Sequence, residues 1–298
     1  MEKLSNCPLC GSTPIRQIMH TKDYFYTGEE FNLYQCENCE VIFTNPRPEA
    51  GSLGKYYNTK NYLSHNTKNN GFTGRIYSLL RKKNIRYKYK LISHLTPKGQ
   101  ILDIGSGTGE LLDYFKKEGW TTRGIEPNKK AREFAVKNYN LTIGDENELE
   151  RQEENSFDVI TLWHVLEHIP KANERIEKVK RLLKSNGLLV IALPNPTSFD
   201  AIHYGAYWAG YDVPRHLFHF TPQAFVNFSK ARGLKIIKTK PLKFDAYYVS
   251  YLSEKYKQNH PALLRATIPA WRSNLMANKT GNYSSLIYFL KKETPTGY

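Results

Sequence analysis

Gln100-Ile101-Leu102-Asp103-Ile104-Gly105-Ser106-Gly107-Thr108-Gly109-Glu110-Leu111-Leu112 is the stretch that decides the fold. Ile101, Leu102 and Ile104 make a short apolar run, which predicts a buried strand. The run enters a glycine loop, and the loop enters an amphipathic helix that stops near Gly119. Glycines at 105, 107 and 109 permit positive φ and let a ligand lie directly on backbone amides and a helix N-terminus. The spacing is G-x-G-x-G after an aspartate, which differs from the G-x-G-x-x-G of dinucleotide enzymes.

Reading outward, Thr122-Arg123-Gly124-Ile125-Glu126-Pro127 predicts a second strand that ends in an acid, 17 residues beyond Gly109. A carboxylate there can accept hydrogen bonds from both hydroxyls of a ribose. A helix over 128–138, a short strand 141–143 followed by Gly144-Asp145, a strand 157–162, a helix 172–184 and a strand 188–193 continue the pattern. Regular β-α alternation implies a parallel sheet covered on both faces. Thr221 as N-cap and Pro222 at the first helical position start another helix, which runs to about Arg232-Gly233. From the residues alone, a Rossmann-like domain without a ligand or an NAD enzyme is the competing reading.

The ordered set DIGSGTG at 103–109, GIEP at 124–127, GD at 144–145, FDVI at 157–160 and LLKSNGLLVIALPN at 182–195 resembles the class I S-adenosylmethionine-dependent methyltransferases. The resemblance covers roughly residues 95–250. It implies an α/β, Rossmann-like seven-stranded sheet in the order 3-2-1-4-5-7-6, with strand seven antiparallel. Leu234 to Thr239 and Tyr247 to Leu252 are the expected last two strands. It also implies S-adenosylmethionine as cofactor, with Asp103, Gly105, Gly107 and Gly109 along its methionine part. Glu126 would hold the ribose and Asp145 would lie near the adenine amine. Pro127 and Trp163, at the ends of the second and fourth strands, complete the expected cofactor set.

Methyl transfer from a sulfonium is an in-line displacement, so the protein must align the acceptor and, where needed, remove its proton. Candidate bases belong at the carboxyl ends of strands four and five. Trp163-His164-Val165-Leu166-Glu167-His168 follows strand four directly. His164 and His168, four apart, could share a helical face, with Pro170 limiting the turn; His168 is the first candidate for a general base and His164 and His216 are the others. The same residues contain H-x-x-E-H, an inverted zinc-protease signature. That motif needs a long helix, whereas here a strand ends just before it and a proline follows. After strand five, Tyr204 to Phe220 is rich in aromatic residues with Asp212, Arg215, His216 and His219. Such a loop suits a sugar or ring acceptor, with Arg215 available to a phosphate or carboxylate; a packed loop covering the cofactor is the other reading.

All four cysteines lie at the front, as Cys7-Pro8-Leu9-Cys10 and Cys36-Glu37-Asn38-Cys39. Two Cys-x-x-Cys knuckles suit the tetrahedral shell of Zn2+, and four thiolates close that shell, so the metal expected is structural. A segment of this size has too little core of its own, and the ion would supply the missing stability. Together with Ile42-Phe43-Thr44-Asn45-Pro46-Arg47-Pro48, a Tyr-rich linker, WHVLEHI and YDVPRHLFHF, these knuckles resemble the zinc-containing methyltransferases of surface-polysaccharide and natural-product pathways. Among them are sugar C-methyltransferases acting on nucleotide-linked deoxysugars.

The 298 residues carry a formal charge of +15, distributed in blocks. Residues 1–54, 55–98, 99–229 and 230–298 have nets of −3, +11, −3 and +10. A uniformly basic chain of the histone type is excluded. The run 75–95 predicts one or two amphipathic helices with a basic face, open to phosphate-bearing substrates, RNA or an anionic membrane surface. No apolar stretch approaches the roughly 20 residues needed to cross a bilayer, and the N-terminus lacks an apolar signal core, so a cytoplasmic protein is expected. The expected organisation is a zinc-ribbon-like domain at 1–50, a basic connector at 51–98, a methyltransferase domain at 99–252 and a basic extension at 253–298. The expected activity is methylation of a small-molecule acceptor, anionic if the basic blocks face it, such as a sugar or a phosphorylated or nucleotide-linked intermediate. RNA methylation and a non-catalytic cofactor-binding module are the alternatives, and the oligomeric state is open.

Overall fold

The structure, a computed structural model, describes residues 1–57, 72–258 and 263–293, with residues 72–78 and 263 described by backbone alone. Much of the Tyr-rich linker, the start of the basic connector, Pro261 and the last five residues thus lie outside the described residues.

Strands β1 (Ile15–Lys22) and β2 (Glu30–Cys36) form an antiparallel hairpin, and β3 (Ile42–Thr44) adds antiparallel to β2. The hairpin turn is fixed by Asp23, whose carboxylate accepts the backbone N–H groups of Phe25, Tyr26 and Thr27. A single long helix α1 (Phe72–Ser93) precedes β4 (Gln100–Ile104), in which every residue after Gln100 is buried. Helix α2 (Glu110–Lys117), β5 (Thr121–Ile125), α3 (Lys129–Tyr139), β6 (Ile143–Gly144), α4 (Glu146–Glu150) and β7 (Phe157–Trp163) follow. Asn128 and Asp145 cap α3 and α4 with their side chains.

Helix α5 (Ala172–Leu182) runs straight into β8 (Leu183–Pro194). Next come α6 (Phe199–Tyr204), the two-residue β9 (Phe218–His219), α7 (Pro222–Lys230) and β10 (Leu234–Pro241). Thr221 caps α7 by accepting the Ala224 N–H, with Pro222 at its first position, as the sequence predicts. Helices α8 (Asp245–Gln258) and α9 (Leu263–Thr280) lead to the last strand, β11 (Ser285–Lys292).

The mixed seven-stranded sheet has the order β6-β5-β4-β7-β8-β11-β10, with β4, β5, β6 and β7 paired in parallel. Numbered within that sheet it is 3-2-1-4-5-7-6, the expected order. Strand β11, however, is not Tyr247 to Leu252, which lie in helix α8. Along that helix Ala246, Ser250, Ser253 and Glu254 are buried while Tyr247 and Tyr248 are exposed. The buried face is small and polar at helical spacing, so hydrophobicity alone mistakes this stretch for a strand. The true last strand, with Leu286 to Leu290 all buried, comes from the span expected to be an extension.

The chain forms two compact units, each drawn from three stretches. One comprises Thr59–Trp163, Glu174–Ile191 and Phe289–Tyr298. It holds the glycine loop and α1, whose basic side is partly engaged: Arg81 pairs with Glu110, and the Lys88 ammonium lies 4.1 Å from the centre of the Trp163 ring. The other comprises Met1–Asn58, His164–Asn173 and Ala192–Tyr288. Here β9 joins the N-terminal sheet in the order β1-β2-β3-β9, pairing Ile42 with His219 and Phe43 with Phe218. The histidine-rich loop is thereby built onto the cysteine-bearing sheet.

Candidate functional site

In the glycine-loop unit, Gly105, Gly107 and Gly109 all have positive φ, at +74°, +55° and +82°. A side chain would strain each of these backbones. A Cβ placed on Gly107 would meet open space, which leaves room for a ligand against the backbone. Glu126 at the tip of β5 is buried, and its two carboxylate oxygens accept the N–H groups of Gly107 and Asn128, each at 2.8 Å. Burial raises the Glu126 pKa, and those two backbone donors oppose the rise. The carboxylate therefore ties the loop to the end of the second strand and retains lone pairs for further donors.

Asp103 is buried beneath the loop, where the Thr161 hydroxyl donates to it at 2.5 Å. Burial pushes its pKa up to about 7 against the pull of that hydrogen bond and of Lys88. The Asp145 Oδ1 atom is spent on capping α4, accepting from Asn147 and Glu148. Pro127 is exposed, and its carbonyl accepts from Arg132. At the end of β7 the Trp163 indole N–H is buried without a hydrogen-bond partner among the described residues, as is the Ser106 hydroxyl in the loop. Open space over Gly107 and a buried acid at the tip of β5 fit a nucleoside.

In the second unit the three candidate histidines are placed differently from one another. His164 has φ of +55° and stands outside helix geometry; only the single 3-10 turn Leu166–His168 forms. The shared helical face expected for His164 and His168 is therefore not built. His164 Nε2 lies 2.9 Å from Asp245 Oδ2, and its Nδ1 lies 3.5 Å from Glu167 Oε1. Both neighbours can only accept, so both ring nitrogens carry hydrogen. Burial opposes the charge, but the hydrogen bond to Asp245 and the neighbouring Glu167 carboxylate outweigh it and lift His164 to about 9. The ring is an imidazolium at neutral pH.

His168 is the opposite case. Its Nδ1 lies 3.0 Å from the Arg215 carbonyl, which fixes Nδ1 as the donor, and the Tyr57 hydroxyl is 3.1 Å from the same atom. Burial and the neighbouring His216 push its pKa down to about 4. His216, also buried, donates from Nδ1 to the Gly210 carbonyl at 2.9 Å, and the two rings meet edge to face with centroids 4.5 Å apart. His219 is buried beside the Thr44 hydroxyl, 3.3 Å away, and burial holds it neutral. Arg215 is not free for an acceptor phosphate or carboxylate: Asp23 and Asp212 hold its guanidinium, and it donates to the Tyr56 carbonyl.

The four cysteine Sγ atoms lie within 4.8 Å of one another, Cys7 being 3.6 Å from Cys39 and Cys10 3.5 Å from Cys36. The two knuckles repeat one backbone plan. Gly11 donates to the Cys7 carbonyl and Cys7 to the Ser12 carbonyl; Glu40 donates to the Cys36 carbonyl and Cys36 to the Val41 carbonyl. Gly11 and Glu40 both have positive φ. A zinc ion with bonds of about 2.3 Å sets tetrahedral sulfur–sulfur edges of about 3.8 Å. The cluster fits that shell with little adjustment.

A family model described as a methyltransferase domain matches residues 78–239, more than half of the chain. The chain belongs to this methyltransferase family. It is similar to the ubiquinone biosynthesis O-methyltransferase of Pasteurella multocida, at 33% identity over 114 residues, covering 33% of this chain and 47% of that protein. Against the Actinobacillus pleuropneumoniae protein of the same name, identity is 28% over 179 residues, 54% of this chain and 74% of the relative. The match thus spans about half of the first relative and three quarters of the second. Among solved structures, geranyl diphosphate C-methyltransferase from Streptomyces coelicolor superposes with a TM-score of 0.52 at 10% identity, covering 76% of this chain and 87% of that one. A geranyl diphosphate methyltransferase bound to S-adenosylmethionine gives 0.52 at 13% identity, with 76% and 92% covered. These two likenesses concern the fold. The family makes the protein a methyltransferase.

Several side chains that shape this methyltransferase escape the sequence reading. Thr161 and Lys88 act on Asp103 from other elements, and periodicity carries no sign of that. Glu167 is visible only as part of a protease signature, yet it is buried between two histidines of different charge. Asp245 carries a signal in its surroundings: residues 230–298 hold only three acids, and two of them, Asp245 and Glu254, are engaged with His164 and Tyr204. An acid kept in so basic a block is a candidate for a specific partner.

Proposed function

We propose that this methyltransferase acts on a hydroxyl of a small-molecule acceptor, a sugar or a phosphorylated or nucleotide-linked biosynthetic intermediate, and that zinc in the four-cysteine cluster holds the N-terminal sheet. The observation that carries the hydroxyl reading is the tautomer and neutrality of His168. His164, by contrast, spends both ring nitrogens on Asp245 and Glu167 and is not available to an acceptor. His168 donates from Nδ1 and stays neutral, so its Nε2 lone pair is the proton acceptor, with His216 packed against it. S-adenosylmethionine supplies the electrophilic methyl group when bound. In this reading Glu126 holds the ribose hydroxyls, Gly105, Gly107 and Gly109 let the methionine part lie on the backbone, and Asp145 lies near the adenine. Trp163 offers its N–H, and Asp103 braces the loop through Thr161.

The named relatives favour a second reading, in which the hydroxyl belongs to an aromatic ring of a quinone precursor, since both are called ubiquinone biosynthesis O-methyltransferases. The experiment is transfer of a labelled methyl group from S-adenosylmethionine to three panels: nucleotide-sugars and other phosphorylated metabolites, hydroxylated quinone precursors, and RNA. Turnover confined to the first panel, lost in His168→Gln with cofactor affinity retained, is the expected result. Turnover confined to the ring panel would replace the sugar reading, and turnover on RNA alone would overturn both.

A further inference from the structure

In the H-x-x-E-H segment, Glu167 has no role in the proposed methyl transfer. Glu167 is 1% exposed, and neither of its carboxylate oxygens has a hydrogen-bond partner among the described residues. Its nearest cation, His164 Nδ1, forms an ion pair at 3.5 Å without hydrogen-bond geometry. An ionised carboxylate buried with so little compensation is costly, because its hydration is lost and only partly replaced. Glu167, His168 and His216 each offer a donor atom within 4.8 Å of the other two. They come from two separate segments, the turn after β7 and the loop before β9.

The two imidazoles are prepared in the same way. Each spends its Nδ1 hydrogen on a backbone carbonyl, His168 on Arg215 and His216 on Gly210, at 3.0 and 2.9 Å. A histidine held like this presents a basic Nε2, and metal-binding histidines commonly donate their other nitrogen to a carbonyl in just this manner. Asp212, whose Oδ2 is 4.0 Å from His216 Nε2, is already committed to Arg215 and does not complete the set.

We propose that Glu167, His168 and His216 form a second metal site, for one divalent transition-metal cation, separate from the four cysteines. Two imidazoles and one carboxylate are the donor set of open zinc, iron, manganese and cobalt sites, which keep at least one position for water or a substrate oxygen. Around a cation with bonds of about 2.1 Å, donor atoms sit about 3.0–3.4 Å apart, so donors already within 4.8 Å of one another close by at most about 1.8 Å. The cation would satisfy the stranded carboxylate and both lone pairs at once. The inference deepens the acceptor reading above, on which it rests only for its catalytic meaning: metal and acceptor proton compete for the same His168 lone pair.

The test is a cobalt(II) titration of the full-length protein, isolated with zinc on its cysteines, followed by visible absorption and by metal analysis. The expected result is one added equivalent of cobalt whose spectrum lacks the intense thiolate charge-transfer band of a cysteine site. Glu167→Gln and His216→Gln should weaken that binding at least tenfold, while His219→Gln, at a buried histidine outside the trio, should keep it. Retention of the thermal shift by S-adenosylmethionine in each variant certifies its fold and keeps the outcome separate from the methyltransferase reading. No cobalt uptake in the wild-type protein apart from exchange at the cysteines overturns the inference, as does unchanged uptake in both trio variants.

Discussion

Alanine at Gly107 and at Gly109 should separate ligand contact from loop stability. Both backbones lie at positive φ, +55° and +82°, where an L-residue costs about 1–2 kcal/mol. A Cβ on Gly107 meets nothing within 4 Å, whereas one on Gly109 falls 2.7 Å from Leu141 Cδ1 and 2.8 Å from Ala135 Cβ. Both neighbours are buried, so neither can withdraw into solvent, and overpacking of this kind adds about 1–3 kcal/mol. Gly109→Ala should therefore lose about 2–5 kcal/mol of stability and Gly107→Ala about 1–2 kcal/mol. Cofactor affinity should follow the reverse order. The new methyl on Gly107 occupies the open space assigned to S-adenosylmethionine, and a loss of tenfold or more, about 1.4 kcal/mol, is expected there. Urea unfolding and calorimetric titration with S-adenosylmethionine, both at a temperature where each variant is folded, give the two orders. Equal destabilisation of the two variants, or wild-type affinity in Gly107→Ala, would refute the reasoning.

Three further outcomes follow from the same geometry. His164 is lifted from its ordinary 6.5 to about 9 by Asp245 and Glu167, so the stability it contributes is complete below pH 6.5 and lost as pH rises through 9. Melting temperatures of the wild type and His164→Gln should differ most near pH 6 and converge above pH 9; a difference that grows with pH contradicts the assignment. Arg215→Met takes the cation from the buried Asp23, which keeps its backbone donors, and from the partly buried Asp212, and should cost about 3 kcal/mol in urea unfolding, the low end for a broken buried pair; a loss below about 1 kcal/mol would show that the carboxylates find other partners. Cys36→Ser should lower the bound zinc by one equivalent in metal analysis and make the remaining thiols reactive, whereas an unchanged zinc content would remove the four-thiolate site.

The sheet of this methyltransferase is legible because runs rich in apolar residues, such as Ile101 to Ile104 and Leu188 to Leu193, are punctuated by glycine. The last strand is misread for a converse reason: Tyr247 to Leu252 look apolar, but the residues that α8 buries are Ala246, Ser250 and Ser253, which carry no hydrophobic signal. The acidic tip of β5 is readable since Glu126 sits at a fixed place after the glycine loop. The pairing of β3 with β9, the burial of Glu167 and the opposite protonation of His164 and His168 are not, because each depends on residues far apart in the chain. The basic connector illustrates the limit of charge counting. Its Lys88 is used on Trp163 and Asp103 within its own unit, so the block charge alone does not report an acceptor phosphate.

The claim at the centre of this account is that the glycine loop and Glu126 bind S-adenosylmethionine, and calorimetric titration of the full-length protein with wild type and Glu126→Gln tests it most directly. The amide must turn an N–H group toward the backbone donor of Gly107 or Asn128, and its neutral oxygen forfeits a charge-assisted bond to a ribose hydroxyl worth about 1.5–3 kcal/mol. One-to-one binding by the wild type, weakened by about 10- to 150-fold in Glu126→Gln, is predicted. Absence of binding by the wild type, or an unchanged affinity in Glu126→Gln, would contradict it.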